Sequence, residues 1–315
     1  MMRILKWLSV VATLGMVFVL LGGALVTKTD SGDGCGDSWP LCEDELIPSE
    51  ITPELIIELS HRLVSGVVGI AVVGLVILAW KKIGHVREVK FLSLFSLFFL
   101  IFQALLGAAA VKWGQSDAVL AAHFGISLIS FAGIFLLTLL IFEVDKKFDA
   151  TSLHIKKPHR LEIYAITIYT ILVVYTGALV RHTNANLVCG SWPFCNNNAP
   201  LAFSSYSVPQ WIQMGHRLAA GILFLWTVIL AIRMIRHYRN NRIMSWGWGI
   251  SLALITLQVA FGALVIITRL HLGTALLHAL FISLYFAMLT YFILLASRSR
   301  KYAEQIDTKE NVQSL

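Results

Sequence analysis

The chain has 315 residues, 57% of them hydrophobic and only 14% charged, a balance that excludes a water-soluble globular protein and leaves no room for a soluble catalytic domain. Its formal net charge of +7 would suit nucleic acid, but the basic residues are confined to alternate connections between apolar runs, which is a pattern of membrane topology and excludes a nucleic-acid surface. Any chemistry therefore takes place between helices or just above them.

Eight apolar runs of about 20 residues, each long enough to cross a bilayer, lie at about 7–27, 56–80, 91–111, 119–142, 162–180, 211–232, 246–267 and 272–296. Arg3 and Lys6 precede the first run. A basic start before an apolar run has the form of a cleaved signal peptide, but this run has a counterpart in the fifth and is read as structure. No long Arg- and Ser-rich extension precedes it, which points to a bacterial plasma membrane and away from organelle import.

The first connection, 28–55, holds one Lys and eight acidic residues, together with Cys35 and Cys42. Basic residues then gather in every second connection: Lys81, Lys82, Arg87 and Lys90; Lys146, Lys147, Lys156, Lys157 and Arg160; Arg233, Arg236, Arg239 and Arg242; and, after the last run, Arg298, Arg300 and Lys301. Cytoplasmic loops carry such an excess. Both termini are thus expected in the cytoplasm, and the connections after spans one, three, five and seven on the outer face. All four cysteines fall in outer connections, since Cys189 and Cys195 follow span five. Disulfides persist in an oxidising compartment. Four cysteines allow three pairings, of which Cys35–Cys42 with Cys189–Cys195 is the simplest. The spacings match neither a thioredoxin nor a zinc pattern, so two readings stand: loop staples, or at least one pair that is redox-active or needed for catalysis.

The chain is internally duplicated. Gly23-Ala24-Leu25-Val26 matches Gly177-Ala178-Leu179-Val180; Cys35-Gly36-Asp37-Ser38-Trp39-Pro40-Leu41-Cys42 matches Cys189-Gly190-Ser191-Trp192-Pro193-Phe194-Cys195; His61-Arg62-Leu63 matches His216-Arg217-Leu218; and Gln103 with Gly107 matches Gln258 with Gly262. Four spans per repeat return the chain to its starting side, so the halves share one orientation and are related by an axis along the membrane normal. The expected architecture is an all-α integral membrane protein of eight transmembrane helices, built as two tandem, pseudo-twofold-related four-helix bundles: 1–145 and 162–300, with a cytoplasmic linker at 146–161 and a cytoplasmic tail at 301–315. Gly66, Gly69, Gly107, Gly221 and Gly262 are expected to allow close helix approach.

Within that frame, His61 and His123 lie 62 residues apart, and so do His216 and His278. Each opens or nearly opens a span that starts at the outer face. An ionisable side chain in an apolar segment is costly and usually functional. Two imidazoles on neighbouring helices can grip a haem iron from both faces, and the duplication implies two such sites. Zinc fits less well, because it prefers one tetrahedral ligand set. The other six histidines fall in loops or lack a duplicated histidine partner.

One position breaks the symmetry. Glu58 stands three residues before His61, on the same helical face, whereas Gln213 stands three before His216. A carboxylate beside one haem only suggests that chemistry happens there; the competing reading is a solvated interfacial acid. Arg62 and Arg217, each next to a histidine, either pair with haem propionates or snorkel to the surface. Trp39 and Trp192 suit interfacial anchors.

Taken together, eight spans in two repeats, the four histidines, Glu58 and the cysteine pair of the first outer loop resemble the haem A synthase family over nearly the whole chain, in its bacterial form with a cysteine pair in each half. The resemblance implies oxidation of a methyl group of haem O to a formyl group by successive hydroxylations, giving haem A for terminal oxidases. It implies that the first half holds substrate haem O and product haem A between His61 and His123, that the second holds a resident haem b between His216 and His278, and that Glu58 is catalytic, with a role for Cys35 and Cys42 in electron removal or loop positioning. A haem O synthase partner, an electron acceptor of unspecified kind and the lipid bilayer follow from it. Two rivals explain the four histidines. A quinol-linked dihaem b-type cytochrome needs neither the Glu58/Gln213 difference nor two cysteine-capped mouths, and a haem carrier fits poorly with unbroken helices.

Overall fold

The computed structural model describes residues 2–45, 48–114, 116–143, 153–196, 198 and 203–313. It contains eight long apolar helices: α1 (Met2–Lys28), α2 (Pro53–Ile83), α3 (Arg87–Lys112), α4 (Asp117–Ile141), α5 (Lys157–His182), α6 (Val208–His237), α7 (Arg242–Ile267) and α8 (Leu272–Gln313). Among the described residues there is no strand, only an isolated bridge between Cys42 and Glu45. All eight expected spans are present, and the helices overrun the apolar runs by a few residues because polar caps sit outside them. Thr52 Oγ1 accepts the N–H of Leu55 (3.1 Å) ahead of Pro53, and Asn241 Oδ1 accepts that of Met244 (3.1 Å). Each satisfies an orphan donor of a first helical turn. The stretch 301–313, expected as a tail, continues α8 as helix. Of the expected linker, 146–152 lies outside the described residues, and Lys157 already belongs to α5.

Helices α1–α4 form one closed ring of neighbours and α5–α8 another. The rings meet where α4 packs on α8, flanked by α1 against α8 and α4 against α5. Exchange of the two repeats maps this interface onto itself, as a pseudo-twofold axis between α4 and α8 requires. Burial follows: 67% of the most apolar stretch of α4 and 56% of that of α8 are buried, against 33% or less in the other six. Lipid is as apolar as leucine, so polar contacts and close fit hold such helices together. Thr13 and Thr138 share a hydroxyl hydrogen bond (2.8 Å) between α1 and α4, Thr227 and Tyr285 share one (2.6 Å) between α6 and α8, and Trp248 stacks on Phe292 at 4.4 Å between α7 and α8. Between the halves, Arg181 Nη2 donates to Thr27 O (2.6 Å) and to Asp30 Oδ1 (2.7 Å) at the cysteine-loop end. At the opposite end the linker is tied to the second half, Ile155 N–H donating to Ser299 Oγ (2.7 Å).

Candidate functional site

The four duplicated histidines occupy matching places. His61 and His216 each lie eight residues beyond the first residue of α2 and α6, and His123 and His278 six beyond that of α4 and α8. All four helices start at the cysteine-loop end, so the rings sit at similar depth, about two turns in. His61 is within electrostatic range of His123, and His278 of His216. The structure therefore brings together the two pairs expected from the sequence.

Each ring rests on a glycine of the preceding helix. A Cβ on Gly22 would lie 2.9 Å from His61 Nδ1; one on Gly107 would lie 3.3 Å from His123 Cε1; one on Gly177, 3.0 Å from His216 Cε1; and one on Gly262, 3.0 Å from His278 Cε1. Any side chain there would push the imidazole away. The expectation that five glycines serve close helix approach holds for Gly107 and Gly262 and is corrected for Gly66, Gly69 and Gly221. Gly107 and Gly262 seat histidine rings, and a Cβ on Gly66, Gly69 or Gly221 would meet nothing within 4 Å, so those three bring no helices together.

The second pair is fully oriented by hydrogen bonds. Thr176 Oγ1 donates to Val173 O (2.7 Å) and lies 2.9 Å from His216 Nδ1. With its proton committed to Val173, the hydroxyl can only accept, so Nδ1 carries the hydrogen and Nε2 keeps its lone pair. His278 Nδ1 faces Gln258 O (3.1 Å), again an acceptor, and its Nε2 faces the Gln258 side-chain amide (3.1 Å). Both rings hold the tautomer with the lone pair on Nε2; at His216 it is open, whereas at His278 it accepts the Gln258 amide, a bond that must give way before a metal can be held. In the first pair, Nδ1 of His61 is buried with no hydrogen-bond partner, while the Gln103 backbone stands beside His123. An orphaned imidazole nitrogen at His61, four glycine seats and buried rings facing each other across each bundle fit a flat group held between two histidines. The donor set, two neutral imidazoles per site, is what haem iron accepts.

The cysteines form two disulfides, Cys35–Cys42 and Cys189–Cys195, with Cα atoms 4.5 and 4.3 Å apart. Both loops contain a cis peptide, Trp39–Pro40 and Trp192–Pro193, and both tryptophans are exposed. Each loop is pinned to the helix below it. Glu58 Oε2 accepts the Cys35 N–H (2.8 Å), and Gln213 Oε1 accepts the Cys189 N–H (2.9 Å). Glu58 is therefore not the solvated acid of the competing reading: it is 4% exposed and ion-paired to Arg62. Gln213 uses its amide differently, donating to Asn186 O (2.6 Å).

The two arginines neither snorkel nor stand free for propionates. Arg62 Nη1 donates to Ser38 O (2.7 Å) and to Leu41 O, while its Nε and Nη2 go to Glu58 Oε1. Arg217 Nη1 donates to Ser191 O (2.8 Å), Pro193 O and Phe194 O (both 3.2 Å). A planar fork of donors suits carbonyls converging from a tight loop, and each arginine closes the loop of its own half. Another cation, Lys28 at the end of α1, lies near the second pair, within electrostatic range of His278 and of Arg181, and Arg181 Nε is buried without a partner.

Sequence reasoning missed the glycine seats, Thr176 and Lys28. The alignment that pairs Gly23 with Gly177 pairs Gly22 with Thr176 one residue earlier, so the contrast between those two was within reach.

Residues 6–290 match the model of a family described as COX15-CtaA, cytochrome oxidase assembly protein. The chain is 59% identical to the haem A synthase of Oceanobacillus iheyensis, over 97% of this chain and all of that one. It is 58% identical to that of Geobacillus kaustophilus (96% and 94%) and 55% identical to that of Lysinibacillus sphaericus (94% and 96%). With matches of this extent, the chain belongs to the COX15-CtaA family of cytochrome oxidase assembly proteins.

Proposed function

We propose that this multi-pass membrane protein is a haem A synthase, an oxidoreductase that converts the methyl group of haem O to the formyl group of haem A. The observation that carries this is identity of 55–59% to haem A synthases along nearly the whole chain. Two seated histidine pairs and one buried carboxylate supply the matching chemistry.

In this reading His61 and His123 hold the substrate, and the first bundle is the reacting half. The methyl to be oxidised lies on the porphyrin edge, away from the iron, so the groups that act on it belong to the protein around that edge. Glu58 is one turn from His61 and anchored by Cys35 N–H and Arg62. Both carboxylate oxygens already accept a hydrogen bond, which suits a fixed negative charge opposite the electron-poor carbon. Oε1 accepts twice from Arg62 and Oε2 once from Cys35, so a lone pair remains on Oε2 to take a proton from water entering at that carbon. Arg62 holds the carboxylate and, with the disulfide, keeps the loop closed over the mouth, limiting bulk water.

His216 and His278 would hold haem b in the second half, where it supplies a one-electron redox centre. Gln213 in place of an acid leaves that half without a charge to act on a porphyrin edge. The cysteine loops would face the outside of a bacterial plasma membrane, with both termini in the cytoplasm, as the basic connections imply. Haem O would come from a haem O synthase, and an electron acceptor would complete the oxidation. Production in cells that supply haem O, followed by pigment extraction from the purified protein, tests the reading. Haem A or its hydroxylated precursor is expected, and haem b with unaltered haem O would overturn it.

A further inference from the structure

Equivalent histidines in the two halves are not equivalent in hydrogen bonding. In the second half both Nδ1 atoms are satisfied, by Thr176 Oγ1 (2.9 Å) and by Gln258 O (3.1 Å). In the first half the Gln103 backbone stands beside His123 as Gln258 does beside His278, and His61 Nδ1 alone is buried with nothing to bond. The difference at His61 has a single-residue origin. Where α5 carries Thr176 against His216, α1 carries Gly22 against His61, and the ring moves into the space a side chain would fill, 2.9 Å from a Cβ built there. No acceptor is left for its Nδ1.

A second hydrogen bond on a ligating imidazole fixes its orientation and raises its basicity, and loss of such a partner costs about 10–100-fold in metal affinity. A buried polar atom without a partner is itself unfavourable, so its occurrence at His61, where the equivalent His216 has Thr176, calls for a functional reason. Substrate must enter and product must leave the first half on every turnover, whereas a resident group must stay. Resting on the ligand assignment above, we infer that the residue facing the first histidine sets the exchangeability of each half: Thr176 locks His216 as a permanent iron ligand, and Gly22 leaves His61 a releasable one. Thr176 and Gly22 are positioning residues that act through the imidazole.

The test uses purified full-length protein carrying haem b in the second half. Thr176→Val removes the hydroxyl and keeps the shape; Thr176→Ser keeps the hydroxyl. Transfer of haem b to excess apomyoglobin is expected to be about 10–100-fold faster in T176V. Its midpoint potential is expected to rise, because a less basic imidazole stabilises ferric iron less, and T176S should match the parent in both. Wild-type transfer and potential in T176V would overturn the inference. Faster transfer at an unchanged potential would overturn it too, since that marks lost packing only. His216→Ala, made in a His61→Ala background so that the first half holds no bis-imidazole haem, separates the two levels: if it keeps a bis-imidazole low-spin spectrum, the ligand assignment fails whatever Thr176 does.

Discussion

Glu58 accepts the backbone N–H of Cys35 at 2.8 Å, and this bond ties the buried acid of the first half to its disulfide. Gln213 makes the same bond to Cys189 at 2.9 Å, so anchoring the loop does not require a charge. The two duties of Glu58 can therefore be separated. Glu58→Gln should keep the Cys35 bond, the disulfide and bound haem, while formyl production falls by at least tenfold, a loss of about 1.4 kcal/mol or more of transition-state stabilisation. Glu58→Ala should in addition destabilise the protein by about 1–3 kcal/mol, because the Cys35 N–H loses its partner. Pigment analysis and thermal unfolding of the two variants distinguish charge from anchoring. Full conversion by E58Q would remove Glu58 from the chemistry.

The arginines predict unequal costs from equal substitutions. Arg217→Ala frees loop carbonyls that lie near the surface and should cost about 1–3 kcal/mol. Arg62→Ala frees the same kind of carbonyls and also strands Glu58, whose side chain is 5% exposed. Removing one partner of a buried ion pair costs about 3–5 kcal/mol, so R62A should melt well below R217A. The double variant R62A/E58Q should recover much of the difference, since the stranded charge is gone. Equal melting temperatures for R62A and R217A would show that the Glu58–Arg62 pair contributes nothing beyond loop closure.

Spans, repeat and histidine pairs were legible in the sequence because each is a property of spacing: long apolar runs must cross, and a duplicated offset survives divergence. The Glu58/Gln213 contrast was legible too, but its shared duty was not. Contact with the N–H of a cysteine 23 or 24 residues earlier depends on how the loop folds back over the helix. For the same reason Arg62 and Arg217 pointed to propionates or the surface, while the structure gives their donors to loop carbonyls. Glycines misled in the opposite sense. Gly66 and Gly107 look alike in an apolar run, and only the neighbouring helix decides that one faces open space and the other a histidine ring.

That difference predicts the outcome of alanine at each. At Gly262 a Cβ would stand 3.0 Å from His278 Cε1, and at Gly107 3.3 Å from His123 Cε1. Rings held on rigid helices yield only by rotating off axis, so Gly262→Ala should lower haem b content and shift part of the remainder toward a high-spin spectrum. Gly107→Ala should do the same, more mildly, in the first half. Gly66→Ala and Gly221→Ala, with nothing within 4 Å, should leave haem content unchanged or raise stability slightly through better helix propensity. Absorption spectra and haem stoichiometry of the four variants decide it.

Lys28 yields the last prediction. Cations in the final turn of a helix are favoured by its dipole, and Lys28 and Arg181 both end helices at the cysteine-loop end. Dipole stabilisation does not account for a guanidinium Nε buried with no partner, nor for Arg181 set beside Lys28, itself within range of His278, with the exposed Asp30 as the carboxylate near both. The propionates of a haem clamped at that depth must point toward the aqueous mouth, because hydrocarbon would leave their charge unpaired. They would meet Lys28 and Arg181, one cation from each half of the molecule. Lys28→Gln should therefore lower the midpoint potential of haem b, since a positive charge near the iron favours the reduced state, and should shift the propionate bending band in resonance Raman spectra. Lys28→Arg should restore both. This shift is opposite in sign to that of Thr176→Val, so the two variants report on different parts of the same site. An unchanged propionate band in K28Q would show that Lys28 acts on the haem only through space or not at all.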